Sequence, residues 1–245
     1  MNLTYVPLLY IQRELQGLPR NYERFQQYLR TIIKADGSDV ELVPMLAMNP
    51  MGKDHVTARL DELLGFKADE IGAQAAAEAV AATADVPGGF KAALVVVDDA
   101  GGGWTNRWSY EFNLRVPSPG HKRFWVTEYL WSSEEHTPHS VRRTMLRAVY
   151  RTAYAIVHGT PGNLRQLMKQ EGAAMSRAGC TAPTLDQEDL EYTRQVIEPH
   201  LDASDMPTCI ACLFGDDAGK TLGFTPRGLS PWAGVALALH DAGRN

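Results

Sequence analysis

The sequence predicts an α+β or α/β fold, with a small mixed sheet of about four strands flanked by helices and an all-helical C-terminal half. Three observations carry this. Apolar residues recur at helical spacing in segments before residue 90 and throughout the region after residue 140. The run FKAALVVVDD (90–99) is continuously apolar up to its aspartates, as a strand buried on both faces would be. The segments 109–116 and 123–131 are aromatic and rich in β-formers.

Taken in order, NYERFQQYLRTIIK places Tyr22, Phe25, Leu29, Ile32 and Ile33 on one helical face between Pro19 and Gly37. ELVPMLAM (41–48) reads as a strand near a sheet edge, the place that Pro44 tolerates. After the loop NPMGK, residues 54–65 read as a helix closed by Gly65, and DEIGAQAAAEAVAATA (69–84) as a second, alanine-rich helix. Pro87, Gly88 and Gly89 break the chain before the buried strand 90–99. Strand, helices and strand together suggest a right-handed crossover between parallel strands.

Between Ser109 and Val116, Tyr110, Phe112, Leu114 and Val116 alternate with polar residues, which favours a strand, although Trp108 and Phe112 also fit the start of a helix. With the turn PSPGHK and the strand RFWVTEYLW (123–131), this segment suggests a hairpin. Helices are predicted over 140–157, 161–177, 185–197, 206–221 and 231–240, with Thr160 and Ser230 as capping hydroxyls before Pro161 and Pro231. No repeat of domain-building length is visible. One domain is expected over 1–245, with N-terminal helices and the mixed sheet in 1–135 and the helical part in 136–245.

Composition narrows the function classes. A chain of 245 residues, 44% hydrophobic and 22% charged, is ordinary for a globular fold, which is expected to stand alone or as a homo-oligomer. A net charge of -5 argues against nucleic acid as the main partner, since phosphate neutralisation needs a surplus of lysine and arginine. No apolar run approaches the ~20 residues of a membrane helix, and MNLTYVPLLYIQRELQ lacks a basic n-region, so a cytoplasmic location without membrane association is expected. Three cysteines, Cys180, Cys209 and Cys212, do not form a disulfide framework and fit a reducing compartment.

Three polar turns follow predicted secondary structure. The first is DDAGGGWTNRW (98–108), just past the buried strand, where ligands gather in parallel sheets. Asp98 and Asp99 are candidates for base or cation ligand, and Asn106 and Arg107 for holding a carbonyl or anion; the structural alternative is a turn in which an aspartate pairs with Arg107. The second is AMNPMGKDH (47–55), which brings Asn49, Lys53 and His55 to a helix start suited to anions, or simply caps that helix. The third is SSEEHTPHS (132–140), where His136 and His139 with Glu134, Glu135 or a loop aspartate are candidate ligands of a divalent metal ion, the candidate cofactor. Its spacing matches no zinc signature, and a solvated loop is the structural alternative.

Other strings carry less. In GDDAGKT (215–221) Gly215 stands one residue too close to Gly219 for a phosphate loop. Cys209 and Cys212 are expected to be small buried hydrophobes rather than a redox pair. Arg143, Arg147, Arg151, Tyr154 and His158 form a helical stripe that is either solvated or meets Glu134, Glu135 or an acidic ligand. No nucleophile elbow, dinucleotide fingerprint or kinase signature is present.

The leading expectation is therefore an enzyme acting on a small polar, anionic molecule by hydrolytic or lyase chemistry, assisted by a metal ion or a carboxylate/histidine pair. Asp98, Asp99 and His136 are the catalytic candidates, and Lys53, His55, Asn106 and Arg107 the substrate-binding ones. The alternative is a non-catalytic ligand-binding or protein-interaction module, suggested by Trp104, Trp108, Trp125, Tyr129 and Trp131.

Overall fold

A computed structural model describes residues 1–100, 105–116 and 124–243. The chain divides into two compact units, Met1–Arg107 with Gly120–Val149, and Trp108–Pro119 with Tyr150–Asn245. The division falls inside a long helix, Pro138–His158.

The first unit is built on strands β1 (Asn2–Tyr5), β2 (Gly89–Val97) and β3 (Trp125–Trp131), in the order β1-β2-β3 with both pairs parallel. Among the described residues the sheet thus has three parallel strands in place of about four mixed ones. β2 is central, and Ala92 to Val97 are all buried, which explains their unbroken apolar run. β1 pairs with β2 only as far as Tyr5 opposite Ala92. Further along, the buried Gln12 takes over. Its Nε2 donates to the Val96 carbonyl at 3.0 Å and its Oε1 accepts the Val96 amide at 2.8 Å, so a side-chain amide supplies the ladder that β1 is too short to give.

Helices α1 (Leu8–Gln16), α2 (Tyr22–Ile32), α3 (Asp54–Gly65) and α4 (Ala68–Ala82) lie between β1 and β2 in sequence. α3 buries Val56, Leu60 and Leu63, one helical stripe. α4 instead presents alanines and Gly72, where an added Cβ would sit 2.7 Å from Tyr5 Oη; the small residues let it approach the edge strand closely.

Several sequence expectations are corrected here. Residues 43–47 form a 3-10 turn with buried Met45, not a strand, because Pro44 presets a helical φ and donates no ladder hydrogen bond. Residues 107–115 form α5, and β3 runs parallel to β2, so there is no hairpin. In α5 the helical set Glu111, Phe112 and Arg115 is the buried face, and it overrides the alternating pattern. The glycines 101–103, Trp104 and the turn PSPGHK lie outside the described residues.

The second unit holds α5 from Trp108, the end of α6 (Pro138–His158), α7 (Leu164–Arg177), α8 (Gln187–Ile197), α9 (Met206–Phe214), α10 (Asp216–Thr221) and α11 (Ala233–Ala242). The expected helix 206–221 is two helices. Gly215 breaks it at φ +86, and a Cβ there would meet the Ser230 carbonyl at 2.2 Å. The caps also differ from expectation: Asn163 caps α7 by accepting the Gln166 amide, and α11 follows a left-handed Trp232 with no side-chain cap.

GDDAGKT is accordingly α10 and not a loop, with Asp216 accepting the amides of Arg227 and Gly228. Cys209 and Cys212 are buried, and burial pushes their thiols up to about 12 and about 11. The arginine stripe of α6 is not a solvated face. Arg147 reaches Glu128 at 3.1 Å, and Arg151 joins a buried network in which its Nε donates to Glu171 Oε1 at 2.6 Å. In that network Arg115 Nη1 donates to Glu111 Oε2 at 2.6 Å, and Arg115 Nε lies 2.9 Å from Glu171 Oε2. Two cations thus balance two carboxylates away from water. No described helix is long and apolar enough to cross a membrane.

Candidate functional site

Asp98 directly follows the central strand, and Ser132 directly follows β3, so the two meet at the carboxyl edge of the sheet. The Asp98 side chain is 4% exposed. Three groups from separate segments surround its carboxylate. Asn49 Nδ2 donates to Oδ2 at 2.9 Å, His55 Nε2 lies 2.8 Å from Oδ1, and Ser132 Oγ lies 3.2 Å from the same oxygen. Burial alone would raise the Asp98 pKa. The hydrogen bonds from His55 and Asn49, the proximity of His55 and the Ser132 hydroxyl outweigh it and hold the carboxyl below the usual range.

His55 sits in the first turn of α3 with its side chain 38% exposed. With Nε2 turned to the carboxylate, Nδ1 has no partner among the described residues. The turn that sets Asn49 is tight. The Gly52 amide donates to the Asn49 carbonyl at 3.1 Å, and a Cβ at Gly52 would come within 3.1 Å of both Gln16 Nε2 and Val56 Cγ2.

Asp99 faces a different set. Its Oδ1 accepts the Ser133 amide at 3.1 Å, and its Oδ2 accepts Ser133 Oγ at 2.8 Å and Arg107 Nη1 at 3.4 Å. Arg107 also donates to Glu134 and stacks over Trp131, with its guanidinium carbon 5.1 Å from the ring centroid. The backbone carbonyl of Asp98 accepts Thr105 Oγ1 at 3.1 Å. This is the structural alternative for the first turn: Asp99 and Arg107 pair, and Glu134 completes the arrangement. Asn106 is exposed just ahead of α5.

His136 stands apart. It is buried, with Nε2 3.0 Å from the Trp131 carbonyl, and burial lowers its pKa although that carbonyl and Glu134 oppose the shift. It makes no hydrogen bond to Asp98 or Asp99 among the described residues. His139 is exposed in the first turn of α6. Among the described residues no group of three or more His, Cys, Asp or Glu side chains is placed to hold a metal ion, so His136, His139 and Glu134 are not gathered as a ligand set. Lys53, exposed, caps α3 through its backbone only.

Of the sequence candidates, then, Asp98 and His55 come together, Asp99 and Arg107 come together, and His136 joins neither pair. Asn49 was visible as a turn residue. Ser132 carried only its position after a strand, which is the one signal that points to it. Among the aromatic residues, Trp108 packs 5.5 Å from Phe214 and 5.4 Å from Trp232 between ring centroids, Trp131 is 2% exposed, and Trp125 and Tyr129 are half-buried. Trp104 lies outside the described residues.

No protein-family model matches the chain, and no solved structure matches it. A protein of Bacillus subtilis (strain 168) described as uncharacterized protein YjfC is 32% identical over 87 residues, 36% of this chain. The matched stretch spans 28% of that protein's length.

Proposed function

We propose that this protein is an acid–base enzyme that acts on a small polar, anionic molecule by hydrolytic or lyase chemistry, with His55 as the proton-transferring group and Asp98 as its orienting carboxylate. The observation that carries the reading is the 2.8 Å contact between a partly exposed imidazole and a carboxylate that is 4% exposed. A buried carboxylate on Nε2 fixes the tautomer with hydrogen at that atom, leaves the Nδ1 lone pair to accept a proton, and stabilises the imidazolium that results. Asn49 and Ser132 keep the carboxylate ionised and aimed.

The proton taken by Nδ1 belongs to a water in hydrolysis or to substrate in elimination. A covalent route through serine is not favoured, because the Ser132 and Ser133 hydroxyls are directed to Asp98 and Asp99 and not to His55. No step in this reading needs a metal ion. Asp99 and Arg107 shape the rim of the site.

The test is a screen of the purified protein against carboxylic and phosphoric esters and against hydroxy acids, followed by His55→Ala on any conversion found. Loss of the general base is expected to lower kcat by about 10²–10⁴-fold with the fold intact. A full rate in the His55→Ala protein would overturn the assignment.

A further inference from the structure

The turn that presents Asn49 to Asp98 also borders a cleft of ≈ 500 Å³ in the first unit, lined among others by Gln16, Arg20, Arg24, Gly52, Lys53 and Asp54. Three cations against one carboxylate run counter to the chain's net charge of -5. None of the three makes an ion pair among the described residues. Arg24 is 4% exposed, and its partners are all neutral carbonyls: Leu15 at 3.0 Å, Gly52 at 3.3 Å, and Gln16. Its charge is therefore buried without a counterion, and burial with the neighbouring Arg20 lowers its pKa.

One further feature faces the same space. α3 starts here without a side-chain cap, and the amides of Asp54 and His55 have no acceptor among the described residues. A buried, uncompensated cation and free helix-start amides together describe a ligand that brings negative charge.

We infer that this cleft binds the phosphoryl group of a small phosphomonoester. Two guanidinium groups, an ammonium and the helix start suit a dianion. The inference deepens the reading above by naming the anionic group of the substrate. Its test reads binding and not turnover, so its failure would leave the His55–Asp98 assignment standing, and the converse also holds.

The experiment is titration of the full chain with inorganic phosphate and with glycerol phosphate, followed by amide NMR shifts and calorimetry near neutral pH. Shifts are expected at Asp54 and His55 with both ligands. The double substitution of the exposed Arg20 and Lys53 by alanine should weaken both ligands about tenfold or more, and Asp54→Asn should tighten both severalfold. Binding unmoved by the double substitution, or weakened by Asp54→Asn, would overturn the site. Shifts confined to other regions would refute it outright.

Discussion

The substitution Asp98→Asn tests the geometry of the candidate site without requiring its substrate. The carboxylate accepts from Asn49 at 2.9 Å and His55 at 2.8 Å, with Ser132 at 3.2 Å. A carboxamide offers one oxygen and one NH₂. If the oxygen serves His55, the NH₂ confronts Asn49 Nδ2, and if it serves Asn49, the NH₂ confronts His55 Nε2–H. In the first case a charge-assisted bond becomes a contact between two donors; in the second that contact is relieved only if the imidazole takes the other tautomer, with hydrogen on Nδ1, and a neutral bond replaces the charge-assisted one. Hydrogen bonds to charged groups contribute roughly 1.5–3 kcal/mol and a buried orphan costs about 1–3 kcal/mol, so the substitution should cost about 2–4 kcal/mol. The Asp98 side chain is 4% exposed, so solvent screens little of this. The pH dependence has a definite sign. The folded-state pKa of Asp98 lies below the ordinary value, so its contribution is present above that value and is lost as pH falls through the folded one. Urea unfolding of both proteins should therefore show the full gap near neutral pH and a shrinking gap below about pH 4. A neutral-pH gap under about 1 kcal/mol, or one that widens on acidification, would refute the account of the carboxylate as a satisfied, ionised group.

Two other buried acids behave differently. Glu171 is fully buried between Arg115 and Arg151, and Glu171→Gln leaves one carboxylate for two cations; thermal unfolding should reveal a loss of about 3–5 kcal/mol, and a loss under about 1 kcal/mol would show that the network does not hold the second unit together. Asp69 accepts Tyr5 Oη at 2.8 Å and the Tyr10 amide at 3.2 Å, yet burial pushes its pKa up to about 6. A raised carboxyl pKa means stability that is full below the ordinary value and lost as pH rises through about 6, a change of about 3 kcal/mol that Asp69→Asn should flatten in unfolding measured across that window.

Much of the helical fold was legible because the amphipathic stripes are long. Val56, Leu60 and Leu63 announce α3, and the unbroken run up to Val97 announces a strand covered on both faces. What escaped was short or overridden. β1 has four residues, too few for a periodic signal, and it is recognisable only through its pairing with β2. The alternation of Tyr110, Phe112 and Leu114 was real but lost to a helix whose inward residue, Arg115, is held by carboxylates 4 and 56 positions away in the chain, Glu111 and Glu171. Sequence patterning treats an arginine as a surface residue, so a buried ion network reverses the very signal used to find helix faces. Pro44 misled in the opposite direction, being equally at home at a strand start and in the first turn of a helix.

The candidate site shows the same division between what position implies and what partners decide. Asp98 and Asp99 are chemically identical neighbours at a strand end, and nothing in their own sequence separates them. Their side chains diverge as successive residues leaving a strand do. One turns to the start of α3 and meets an imidazole and an amide, the other turns to the end of β3 and meets Ser133 and Arg107. Arg107 has further acceptors in Glu134 and a stacking surface in Trp131, so Asp99 is one member of a fastening that ties the segment after β2 to the segment after β3. Asp98 has no arginine. Its principal partner, His55, is an imidazole that keeps a nitrogen unpartnered among the described residues. A carboxylate locked to a permanent cation does little beyond holding a loop, whereas one that orients an imidazole can respond to a proton. What separates the two aspartates is therefore the partner each one meets, and the partner of Asp98 lies 43 residues earlier in the chain, in a turn that the sequence alone reads as an anion site or a helix cap.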